Sequence, residues 1–88
     1  MRIWVKMFES NHMIKDLTIE DYSSDTRTHK VYNALEKACV EFDLQKPIWL
    51  ESTIADFKRT GKTRFTRDCF IEDISFDYLE FHVIEEDY

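Results

Sequence analysis

Residues 75–84 read SFDYLEFHVI, and this stretch decides how the chain folds. Phe76, Tyr78, His82 and Ile84 alternate with Leu79, Phe81 and Val83. A period of two built from aromatic and β-branched residues is a strand signal. Apolar groups on both faces put this strand at the centre of a sheet. It is then either covered twice, or covered once and used on its other face in an oligomer interface.

A central strand needs neighbours, and the N-terminal segment supplies them. Arg2 to Phe8, RIWVKMF, sets Ile3, Val5 and Met7 against Trp4, Lys6 and Phe8. Glu9-Ser10-Asn11-His12 is polar and turn-like. Met13 to Glu20 then resumes, with Leu17 and Ile19 on one side and Asp16, Thr18 and Glu20 on the other. So short a polar link between two alternating runs predicts a β-hairpin.

The period then changes. Val31, Leu35, Ala38 and Phe42 recur at spacings of four, three and four, the apolar stripe of an amphipathic helix from Thr26 to Asp43. Ser24, Asp25 and Thr26 are candidate N-caps, and Glu36, Lys37 and Glu41 fall on the water side. Pro47 disfavours helical geometry just before it. Ile48 to Leu50 reads as a strand end or a loop entering the core. Ser52 caps a brief helix through Arg59 that buries Ile54 and Phe57. Thr63 to Ile71 is ambiguous, with an extended conformation as one reading. The expected fold class is α+β: a small antiparallel sheet, made by the N-terminal β-hairpin and the C-terminal strand, packed by one main amphipathic helix and a short second helix. At 88 residues the chain is one domain, spanning 1–88. A chain of this size buries roughly 60% of its unfolded surface.

Charge narrows the function. The 12 Lys and Arg face 18 Asp and Glu, a net −6, which repels nucleic acid and anionic membrane at long range. Lys58, Arg59, Lys62, Arg64 and Arg67 nevertheless put +5 within ten residues, so −6 overall means −11 on the rest. From Asp68 to Tyr88 there are eight acids and no Lys or Arg. Cys39 and Cys69 share no C-x-x-C spacing. The N-terminus is too short and too charged for a signal peptide, and no run approaches a membrane span. A cytoplasmic protein with reduced thiols is expected.

The basic segment, DFKRTGKTRFTR over 56–67, contains Gly61-Lys62-Thr63, the end of a phosphate-binding loop motif. That motif needs a glycine where Asp56 stands and a helix starting at the lysine, whereas the helix here precedes Gly61. Gly61 is better read as a left-handed helix stop, with Lys58 and Arg59 complementing the negative helix end. Phe57, Phe65 and Phe70 interleave with the five cations, and Trp49 lies nearby. Aromatics beside Arg and Lys are how single-stranded RNA is often held. The same five residues also suit a protein partner, or neutralisation within the fold.

Other chemistry finds no assembled pattern. His12, His29, His82, Cys39 and Cys69 share no zinc spacing, and His29 and Cys39 lie on different faces of one helix. Asp16, Glu20, Asp21 and Asp25 lack the spacing and central glycine of a calcium loop. No Ser or Cys stands beside a His and an orienting acid. Catalytic residues, metal ligands and cofactor-binding residues are therefore all expected to be none. Asp73, Asp77 and Glu80, with Glu85, Glu86 and Asp87, raise a mimic of a phosphate row, although Asp77 and Glu80 point to opposite faces of a strand. Glu85-Glu86-Asp87 is most simply a solvated tail.

At KPIWL, at FKR followed by K-x-R-F, and at FDYLEF, the chain resembles a group of short, uncharacterised bacterial proteins carrying similar blocks. The resemblance covers most of the chain from the main helix onward and implies an ordinary cytoplasmic bacterial protein, with no site attached. Thirteen aromatics are many for so small a core, which favours an exposed aromatic patch. The expected function is non-catalytic binding, to a protein partner or a second copy. The alternatives are RNA or single-stranded DNA bound through 58–67 and acidic mimicry of nucleic acid; no membrane partner is expected.

Overall fold

The computed structural model describes residues 1–87. Strand β1 (Arg2–Glu9) turns into β2 (His12–Glu20); helices α1 (Arg27–Glu41) and α2 (Glu51–Thr60) follow, then β3 (Lys62–Thr66), a 3-10 turn at Arg67–Cys69 and β4 (Tyr78–Glu85). The four strands form one antiparallel sheet in the order β2-β1-β4-β3. The fold is α+β, as the alternation and the helical stripe predict.

Local chemistry explains the joints. The hairpin turns on Ser10 and Asn11, both with positive φ (51° and 65°). Two left-handed residues in succession match the right-handed twist of the flanking strands. Thr26 caps α1, its hydroxyl accepting from the His29 N–H at 3.2 Å. Asp43 (φ 56°) ends the helix: its own N–H reaches the Val40 carbonyl, and the Leu44 N–H reaches that of Cys39. That pair of bonds is a Schellman closure. Gly61 (φ 72°) ends α2, donating to the Phe57 carbonyl at 2.8 Å.

Ile3, Val5, Met7, Leu79, Phe81 and Val83 face one side of the sheet, and both helices pack there. Val31, Leu35, Ala38 and Phe42 are all buried. Trp49 centres an aromatic nest, 5.4 Å from Phe57, 4.9 Å from Phe65 and 6.1 Å from Phe81, each edge to face. Such pairs add about 0.5–1.5 kcal/mol each beyond the area they bury. Thr63 also points inward, and its hydroxyl is the one buried side-chain oxygen without a hydrogen-bond partner among the described residues.

Four details differ from the sequence expectation. Residues 62–66 add a fourth strand, β3, legible only as an ambiguous stretch because Thr63 and Phe65 alone turn inward. Ser52 is not the cap of α2: the cap position is Leu50, two residues earlier, and it makes no side-chain cap bond. Thr53 and Phe57, four apart, therefore form its buried face, and Ile54, one position round, is 38% exposed. Phe76 precedes β4, where strand alternation does not apply, and is buried edge to face against Phe70.

Candidate functional site

The helices cover one side of the sheet only. On the other side, alternation lines up Trp4, Lys6 and Phe8 from β1, Tyr78, Glu80 and His82 from β4, and Lys62 and Arg64 from β3. Lys6 Nζ sits 3.9 Å from the Trp4 ring centre, and the Arg64 guanidinium 4.7 Å from that of Tyr78. Phe8 stacks on Tyr78 at 5.1 Å. The Trp4 indole N–H donates to Asp16 on β2 at 3.0 Å. A bulge between Met7 and Phe8 brings Met13, about half exposed, beside Phe8.

Glu80 lies at the middle of this face and is only 6% exposed. Its carboxylate is 3.3 Å from Lys62 Nζ and 4.0 Å from Lys6 Nζ. His82 lies in register between Trp4 and Lys62. Partial burial, then Lys62 and Lys6, lower its pKa, so the imidazole is neutral at pH 7. Arg2 at the margin meets Glu20 and Glu85, each at 3.8 Å. The face thus carries Arg2, Lys6, Lys62 and Arg64 against Asp16, Glu20, Glu80 and Glu85. It is neutral in a chain of net charge −6.

The five cations of 58–67 do not share one surface. Lys62 and Arg64 reach the open sheet face, while Lys58 and Arg59 lie on α2, on the helical side. Arg59 pairs with Asp56 at 3.1 Å and Arg67 with Asp77 at 3.6 Å. Lys58 has no ion pair among the described residues and stands at the rim of a groove between α1 and α2.

The acids are likewise distributed. Asp77 also accepts from the Ser10 N–H, at 2.9 Å. Glu85-Glu86-Asp87 is not a solvated tail: Glu86 takes two bonds from Arg27, at 2.9 and 3.0 Å, and Asp87 receives Lys30. The physical reason lies in α1, whose first turn holds Arg27, His29 and Lys30 and no acid. Cations at the positive end of a helix are unfavourable unless carboxylates neutralise them. Arg27 accordingly holds Glu86 below the usual carboxylate range, and Lys30 does the same for Asp87.

His29 pairs with Asp25 at 2.9 Å, and both thiols are free and buried. Burial pushes Cys39 up to about 11, the opposite of what a nucleophile requires. Among the described residues, no three His, Cys, Asp or Glu side chains are placed to hold a metal ion, and no helix is long and apolar enough to cross a membrane.

No protein-family model, curated protein or solved structure shows significant similarity to the chain.

Adjacency in the sequence points to 58–67, whereas Trp4, Lys6, Phe8, Tyr78 and His82 come together only through strand pairing. The signal that finds them was present: two strands, each with large side chains on both faces.

Proposed function

We propose that the protein is a non-catalytic binding module that docks a second copy of itself through the open face of its sheet. The observation that carries this reading is a neutral, aromatic face on an acidic chain. Two copies at −6 repel one another over most of their surfaces. The sheet face escapes that repulsion, because its four cations and four carboxylates are intermixed around Trp4, Phe8 and Tyr78. Tyr, Trp, Phe and Arg, all present on this face, are enriched at protein interfaces. Four strands about 4.8 Å apart and about 25 Å long give roughly 500 Å² in plan. A stable interface buries roughly 800 Å² per partner, so docking through this face would use nearly all of it.

The Trp4 indole supplies the test. NMR spectra of the protein should change with concentration at the Trp4 indole and at the Tyr78, His82 and Arg64 amides, with Trp49 unmoved. Spectra independent of concentration from micromolar to millimolar would refute self-association, and retention of a different protein on this face would replace it.

A second reading shares the surface. Lys62 and Arg64 flank Tyr78 and His82, an arrangement suited to single-stranded RNA or DNA. Glu80 neutralises Lys62, and the Tyr78 ring is already engaged by Phe8, stacked at 5.1 Å, and by the Arg64 guanidinium at 4.7 Å, which favours the protein partner. Binding to mixed oligonucleotides that weakens steeply with salt and is lost in Arg64→Glu would reverse that preference.

A further inference from the structure

We propose that the groove between α1 and α2 is a binding site for a small monocarboxylate with an aromatic or branched apolar body. The site lies on the helical side of the sheet and does not rest on the docking reading. Its cavity is about 300 Å³, at the lower end of the range for small-molecule sites. Val31, Tyr32, Trp49, Ile54 and Phe57 line it. Tyr32 meets Trp49 at 6.3 Å and 65°, and Trp49 meets Phe57 at 5.4 Å and 63°, so the rings form a corner rather than a flat wall. Tyr32 is 53% exposed and Ile54 38%, although Val31 and Thr53 beside them are buried. These apolar groups lie open along the groove.

The rim selects the charge. Arg27 and Lys58 both border the cavity, but they are not equivalent. Arg27 is committed to Glu86 through two hydrogen bonds and lies 5.2 Å from the Phe57 ring centre. Lys58 has no carboxylate partner among the described residues, in a chain with 18 acids. One uncommitted ammonium beside an apolar corner fits one carboxylate whose body lies against Trp49. Beyond Lys58 and Arg27 the surface continues into a second cavity of about 480 Å³, bordered by Gly61, Val83, Glu85 and Glu86. A second carboxylate reaching that way meets Glu85 and Glu86, so the site discriminates against diacids. An acid-to-amide change removes the charge-assisted hydrogen bond and keeps the apolar contact.

The test uses 4-phenylbutyrate, its amide and phenylsuccinate as probes. The readout is Trp49 fluorescence in a Trp4→Phe variant, together with the Trp49 indole resonance. The expected result is saturable binding of 4-phenylbutyrate, about tenfold tighter than the amide or the diacid. Lys58→Met should erase the preference for the acid while leaving amide binding unchanged. Val31→Trp, which fills the cavity, should abolish binding of both. Equal affinity for acid and amide, an acid preference that survives Lys58→Met, or no Trp49 response to any probe would overturn the proposal.

Discussion

Replacing Glu80 with Gln probes the centre of the open face with an almost isosteric change. The carboxylate faces ammonium groups at 3.3 and 4.0 Å. At an effective dielectric near 20, each attraction is about 4–5 kcal/mol gross, and desolvation of the three ions offsets most of that. Removing the carboxylate alone keeps the desolvation and loses the attraction. For a fully buried pair that costs about 3–5 kcal/mol. Here the Lys6 side chain is 13% exposed but that of Lys62 is 48% exposed and can return to water. The cost is therefore about 2 kcal/mol, equivalent to a drop in Tm of roughly 8–16 °C in a domain of this size. Thermal unfolding followed by circular dichroism reads it directly. A double-mutant cycle with Lys6→Met isolates the cause, because deleting the stranded ammonium should recover at least half of the loss. A Tm within about 2 °C of the parent, or a double variant no more stable than Glu80→Gln alone, would show that the carboxylate does not hold the two ammonium groups.

Three other outcomes follow from separate parts of the fold. Gly61→Ala places a side chain at φ 72° in otherwise open space, so backbone strain alone should cost about 1–2 kcal/mol in urea unfolding, with Gly61→Asn losing less. Thr63→Val removes the unpartnered hydroxyl from the interior and should raise stability by about 1 kcal/mol; a loss of stability would mean that the hydroxyl has a partner. Arg27 depresses Glu86 and Lys30 depresses Asp87, so their contribution is complete above the unfolded carboxylate pKa and disappears as pH falls through the lower folded values. Tm should therefore decline between about pH 5 and pH 3, and Glu86→Gln should flatten that decline.

Much of the fold was legible because it rests on short-range periodicity. Val31, Leu35, Ala38 and Phe42 repeat at helical spacing, and all four are buried. The β1 and β4 alternations place Ile3, Val5, Leu79 and Phe81 in the core on the face the pattern assigns. What escaped was long-range. β3 has two inward residues, and pairing with β4, rather than any pattern of its own, makes it a strand. The acidic terminus looked solvated because Arg27 and Lys30 lie 59 and 57 residues away from their partners. The candidate site was half visible. The large side chains of β1 and β4 pointed to an uncovered face, whereas the charge run at 58–67 pointed to a single patch. A helix end, a left-handed glycine and a strand divide that run between two sides of the molecule.

We propose that the uncovered side of the sheet docks a second copy. Sedimentation velocity over a hundredfold concentration range, comparing the parent chain with Tyr78→Glu, tests it most directly. Tyr78 sits outside the core and beneath Arg64, so the variant should fold, as circular dichroism can verify. The parent should shift from monomer to dimer as concentration rises, while folded Tyr78→Glu stays monomeric. A parent that sediments as a monomer throughout, or a variant that dimerises equally well, would contradict it.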